Sequence, residues 1–154
     1  MFTGVHVNLN RGCQIVVTSK RVRPDVLFGW TFRLGTECGN LYVTINHCDG
    51  VLFEVFARLG KSGGCSASHN EALTRAISLG LRCGVAIEEY IRHLRGIQCP
   101  SPTMWPEEKQ VLSCADAIGR ALERARLMLG PSVATEQLDQ SWGEETMVEG
   151  SRRC

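Results

Sequence analysis

No apolar run in this sequence approaches the ~20 residues of a membrane span, so a chain that crosses a bilayer is not expected. There is no surplus of one charge either. The 17 Lys and Arg stand against 16 Asp and Glu, whereas a general nucleic-acid or membrane-surface binder needs a basic excess or a basic face. Met1 to Asn10 lacks the basic region followed by an apolar one that marks a secretion signal. A soluble, cytoplasmic protein is the expectation.

Several chemical signatures are missing too. No C-x-x-C pair occurs, which removes the strongest local zinc signal. A Walker loop needs Gly five residues before its Gly-Lys-Ser, and that position is Val55. His6, His47, His69 and His93 are scattered, with neither a nucleophile elbow nor metalloprotease spacing beside them. No acid–base pair can be placed, so the sequence does not read as an enzyme and calls for no cofactor.

What is present fits one domain with a sizeable core, in 154 residues. There are eight cysteines. Without a secretion signal they are expected as free thiols, with Cys13 and Cys83 as small core residues. The organisation is expected as a single domain over 1–131 and a polar tail over 132–154. Gln14 to Thr18 reads as a strand. Thr31 to Leu34 and Asn40 to Ile45 read as strands about a Glu37-Cys38-Gly39 turn, and Asp49-Gly50 leads into Val51 to Arg58.

Helices follow. Ser68 with Glu71 fits a capping box opening a helix to Arg82, with Leu73, Ala76, Ile77 and Gly80 on its inner face. A second helix spans Ala86 to Arg95 with the stripe Ile87, Tyr90, Ile91 and Leu94, stopped by Gly96. Pro100 to Pro106 reads as a loop. Ser113 and Asp116 open a third helix that turns Ala117, Ile118, Ala121, Leu122, Ala125 and Met128 inward and ends at Gly130-Pro131. The fold class is α+β: an antiparallel β-meander with two to three helices packed on one face. An open sheet edge suggests self-association into a homo-oligomer.

The candidate site begins at Lys61-Ser62-Gly63-Gly64, between a strand and a helix N-terminus. Such a turn aims backbone N–H groups at one point, and Lys61 adds a positive charge, so a phosphate is the expected guest. The other reading is a glycine turn used only for its backbone freedom. Arg75, Ser78 and Arg82 share a helix face and extend the site as a polar strip suited to phosphate. The alternative for that strip is a solvated face with Glu71 and Arg75 paired. Arg33, Tyr42, Asn46 and Phe56 on the sheet could flank a base, although such aromatics commonly lie in cores. Glu54, mid-strand, is expected to be exposed; the alternatives are a buried partner for an arginine and a ligand contact. Cys65, Cys99 and Cys114 form a second constellation, either a zinc or iron–sulfur ligand set or three unrelated small residues. The helix dipole is expected to favour thiolate at Cys65 and Cys114.

Ser113, Cys114 and Asp116, with Leu112 and Ala115 in the remaining places, resemble the Thr-Ser-Cys-Pro-Asp motif of the TSCPD domain. From Arg23 to about Leu129 the chain is similar to the version found in adenosylcobalamin-dependent ribonucleotide reductases. The matching residues include Arg23-Pro24, Leu41 to Ile45, Glu54-Val55-Phe56, Gly60-Lys61, Arg75 and Leu81-Arg82. The resemblance implies nucleotide biology, without the reductase's catalytic barrel. The leading expectation is a non-catalytic nucleotide-binding module that regulates or sequesters a phosphate-bearing nucleotide. A sponge for cyclic or ADP-ribose-type signals, in the cytosol of a bacterium or of a phage-infected host, would be one form of it. The alternatives are a thiol/metal accessory module of ribonucleotide reduction and an adaptor that docks on a reductase.

Overall fold

A computed structural model describes residues 19–60, 64–103 and 110–130 of the chain. Three strands form one antiparallel sheet in the order β1 (Phe28–Thr36), β2 (Gly39–Cys48) and β3 (Val51–Leu59). Strict alternation in β2 fixes the register, because Leu41, Val43 and Ile45 are fully buried while Tyr42 and Thr44 point the other way. Asp49 and Gly50 join β2 to β3 with φ of 50° and 78°, the left-handed pair that a tight hairpin turn requires.

Three helices follow: α1 (Cys65–Arg82), α2 (Ile87–Leu94) and α3 (Cys114–Leu129). The arrangement is the expected α+β class. The core lies between the inner face of the sheet and α3, which presents Ala117, Ile118, Ala121, Leu122 and Ala125, all fully buried. Ile77 and Leu81 of α1 and Leu94 of α2 close it at the sides.

Helix α1 lies against β3. The Val55 N–H donates to Ser78 Oγ at 2.9 Å, and that hydroxyl lies 3.0 Å from the Val55 carbonyl and 2.7 Å from the Thr74 carbonyl. One side chain thus meets the main-chain groups that β3 turns away from β2. This edge of the sheet is covered rather than open.

Several expectations are corrected here. Helix α1 starts at Cys65, three residues before Ser68, and Ser68 Oγ donates to the Cys65 carbonyl at 2.9 Å instead of capping. Its buried stripe is Asn70, Thr74, Ile77 and Leu81, and Ala76 is exposed. Of the expected inner face, Ile77 is buried and Leu73 packs partly against the core, while the polar Asn70 and Thr74 join the stripe in place of Ala76. Ser78 faces β3 and not solvent. Met128 is exposed, because the core-facing row of α3 runs from Ala121 through Ala125 to Leu129 and leaves it to the side. Cys83 is only half-buried, and none of the described cysteines is fully buried. The Gln14 to Thr18 strand, Cys13 and the tail lie outside the described residues.

Glu54 is 5% exposed, against the expectation of an exposed position. Arg23 reaches it with Nε and Nη2, each 2.9 Å from a carboxylate oxygen, and Asn46 Nδ2 donates to Oε1 at 2.9 Å. Burial pushes its carboxyl up, but the hydrogen bonds from Arg23 and Asn46 and the charges of Arg23 and Arg82 outweigh that and hold it below its ordinary value.

Candidate functional site

One end of the molecule gathers four pieces of chain: the β1–β2 turn at Glu37-Cys38, the start of the β3–α1 loop at Gly60, and the N-termini of α1 and α3. Gly60 donates its N–H to the Asn40 carbonyl at 2.8 Å, and the Tyr42 ring lies 3.5 Å from the place its Cβ would take. Cys38 Sγ lies 3.8 Å from Ser66 Oγ in the first turn of α1. Cys114, the first residue of α3, sits with its thiol 3.8 Å from Thr36 Oγ1 at the same turn.

The two helix ends differ. On α3 the Ser113 Oγ accepts the Asp116 N–H at 3.1 Å and donates to the Ile97 carbonyl at 2.6 Å, a complete N-cap. On α1 the N-cap is Gly64, which has no side chain to offer, and the first turn contains no acidic residue. Gly64 has φ 89° and ψ 171°, a region essentially reserved for glycine. The positive end of the α1 dipole is thus left without a side-chain acceptor from its cap or first turn. Lys61, Ser62 and Gly63, which lead into it, lie outside the described residues.

The outer face of the sheet runs up to this end. Tyr42 stands directly across from Arg33 on β1 and Arg58 on β3, and Phe56 stands across from Thr44, one pair further along. Tyr42 and Phe56 are 39% and 48% exposed, so neither is a core residue. They form a small aromatic surface bordered by two guanidinium groups. Arg58 was legible in the sequence only as the end of a strand; the cross-strand register gives it a place beside Tyr42.

Other sequence candidates are placed elsewhere. Arg75 is exposed and pairs with Glu71, about 15 Å along α1 from Cys65. Arg82 is about 26 Å from that end, and it donates from Nε and Nη2 to the Arg21 carbonyl at 2.9 and 2.8 Å. Its guanidinium and that of Arg21 both lie over the Phe53 ring, 5.4 and 5.0 Å from the centroid. Asn46 is about 13 Å along β2 from Tyr42 and bonds Glu54. The structure therefore brings Gly64, Tyr42, Arg33 and Phe56 toward one end, and not Arg82 or Asn46.

The three-thiol constellation is not assembled. Among the described residues no three His, Cys, Asp or Glu side chains are grouped to hold a metal ion, and Cys99 Sγ donates to the Ser101 carbonyl at 3.2 Å. Cys114 instead sits beside the turn that carries Cys38, with its Sγ 3.8 Å from Thr36 Oγ1. Burial pushes the Cys114 thiol up and the neighbouring Cys38 adds to the rise; hydrogen bonding to Asn70 and Thr36 opposes it without reversing it. The helix dipole does not win at this position, contrary to expectation. Asn70 is 5% exposed, and its Nδ2 meets no acceptor at ordinary hydrogen-bond geometry.

Asp116 is a clasp. Its buried carboxylate accepts Arg95 Nε at 3.1 Å, Arg120 Nε at 2.7 Å, and the N–H groups of Gly96 and Leu112 at 3.1 and 3.3 Å. Burial pushes its carboxyl up, but the Arg120 hydrogen bond, the two N–H groups and the Arg120 charge outweigh it, and the carboxyl lies below its usual value. Ser113 and Asp116 of the recognised motif thus fasten the α2–α3 connection to the start of α3.

The family model of the TSCPD domain matches residues 15–126. No curated protein and no solved structure matches the chain significantly.

Proposed function

This chain belongs to the TSCPD-domain family, and from that premise we propose that it is a non-catalytic nucleotide-binding module. The carrying observation is the α1 N-terminus: a glycine N-cap with no side-chain acceptor and no acid in the first turn, preceded by Lys61-Ser62-Gly63. A phosphate placed there would meet backbone N–H groups, the positive end of the helix dipole and the Lys61 ammonium. The base would stack on Tyr42, which packs against Gly60 at the start of the same loop. Arg33 and Arg58 flank that ring and suit a second phosphate or a ribose-linked anion.

We leave Arg75 and Arg82 out of this site, since they lie about 15 and 26 Å along α1 from its N-terminus. The use we assign to the site is sequestration or regulation, in which the ligand leaves chemically unchanged. Self-association through the outer face of the sheet would place a second copy's Tyr42 and Arg33 beside the first, and belongs to the same proposal.

The test is calorimetric titration with a panel of mono-, di- and cyclic nucleotides. One of them should bind, and Lys61→Ala should weaken it at least tenfold without lowering the thermal midpoint. Undiminished affinity in Lys61→Ala would remove the loop from the site.

A further inference from the structure

Cys38 and Cys114 come from parts of the chain 76 residues apart, yet they meet at the β1–β2 turn. Cys38 lies in the two-residue turn between Thr36 and Gly39, which face each other across the hairpin. Cys114 lies with its sulfur 3.8 Å from Thr36 Oγ1, two residues from Cys38, whose thiol is an electrostatic neighbour of it; Cys38 Sγ lies 3.8 Å from Ser66 Oγ on the other side of the turn. Thr36 Oγ1 in turn donates to the Gly39 carbonyl at 2.8 Å, so the turn that carries Cys38 is held in place.

The two thiols differ in a way that suits a relay. Cys38 is exposed, open to a reagent in solution. Cys114 is half-buried at the first position of α3, with Asn70 and Thr36 able to hydrogen-bond its sulfur. The Asn70 amide has no other acceptor at proper geometry and is buried beside it. An amide N–H that has no ordinary partner is a donor available to a sulfur that becomes anionic.

We propose that Cys38 and Cys114 are a redox-active dithiol that closes an intrachain disulfide when the protein meets a small-molecule disulfide. The Cys38 thiolate, its proton lost to solvent, attacks one sulfur of the oxidant. That S–S bond breaks, and one small thiolate leaves. Cys114, having lost its own proton to solvent, attacks the Cys38 sulfur of the mixed disulfide and displaces the second small thiolate. Two protein thiols are oxidised by two electrons, one external disulfide is reduced to two thiols, and the balance is complete. The bond ties the β1–β2 turn to the start of α3, beside the N-terminus of α1. It does not depend on whether a nucleotide binds there.

The experiment equilibrates the full chain in oxidised and reduced glutathione at several ratios, quenches with acid, alkylates free thiols and maps tryptic peptides by mass spectrometry. The expected product joins the peptide that starts at Leu34 to the one that starts at Gln110, with fragment ions placing the link at Cys38 and not at Cys48. Cys114→Ser should leave Cys38 carrying one glutathione. The oxidised wild type should gain roughly 10 °C in thermal midpoint, reversed by dithiothreitol. A Cys38–Cys65 link as the main product, or glutathione adducts alone at both thiols, or full alkylation at every ratio, would overturn the proposal. The wild-type map decides this even where a serine variant folds poorly.

Discussion

Ser78 of α1 hydrogen-bonds the main chain of Val55 in β3, and this contact, with the burial of Ile77 and Leu81, holds the helix along the strand. The N-terminus of α1 lies thirteen residues before Ser78, so the anchor also sets where the candidate phosphate site falls. Replacing Ser78 by Ala leaves the Val55 N–H and carbonyl without their partner. The expected cost is about 1–3 kcal/mol, read as a lower urea midpoint at unchanged m-value. No loss would mean that water or a shifted helix satisfies Val55.

Gly80 and Tyr90 fit together only because Gly80 has no side chain: a Cβ there would lie 1.6 Å from the Tyr90 hydroxyl oxygen. Gly80→Ala should therefore destabilise by about 1–3 kcal/mol despite alanine's better helix propensity. Tyr90→Phe removes the clashing oxygen. The double variant should lose less than the sum of the two single changes, which a denaturant cycle measures. Strict additivity would contradict the contact.

Asp116 makes stability depend on pH with a definite sign. Its folded pKa lies below its ordinary value, so its contribution is full above the unfolded value, about 3.9, and is lost as pH falls through the lower folded value. Asp116→Asn should be less stable than wild type at pH 7, by about 2–4 kcal/mol. The gap should narrow steadily from pH 5 toward pH 2 as the wild-type carboxylate is protonated. Urea midpoints of both proteins across that range are the check. A gap that stays constant would mean that the carboxylate's charge is not what matters.

Tyr42 and Arg82 separate binding from folding. Tyr42 stands exposed beside the β3–α1 loop, whereas Arg82 closes the Arg21–Phe53 stack at the far end of α1. Tyr42→Ala should weaken nucleotide binding about tenfold with little change in thermal midpoint, consistent with loss of base stacking. Arg82→Ala should lower the midpoint by several degrees and leave affinity near wild type. The reversed pattern would place the ligand at the wrong end of the helix.

Much of the fold was legible because its signals are local. Alternation in Leu41 to Ile45, the Asp49-Gly50 turn and the Ser113 cap are each read from a few neighbouring residues, and each appears in the structure. The inner face of α1 was legible only at Leu73 and Ile77, because Asn70 and Thr74 are polar yet buried, which the apolar spacing could not show. Glu54 was misjudged for a related reason: its partner Arg23 lies 31 residues away, and a strand pattern cannot show a distant arginine. The candidate site divides along the same line. The Gly64 N-cap was visible as a glycine turn before a helix, while the meeting of Cys38 with Cys114, and of Arg58 with Tyr42, depends on register and packing. Arg75, Ser78 and Arg82 meet Glu71, Val55 and Arg21 respectively, since helical spacing says which residues share a face and not what that face touches.

The most direct test of a nucleotide-binding module is native mass spectrometry of the protein purified gently from its host, followed by denaturation and identification of what is released. The account predicts a mass excess that disappears on denaturation and appears as an intact, phosphate-bearing nucleotide in stoichiometric amount, or as one taken up from an added panel. A protein that carries no nucleotide and takes up none of the panel would contradict it.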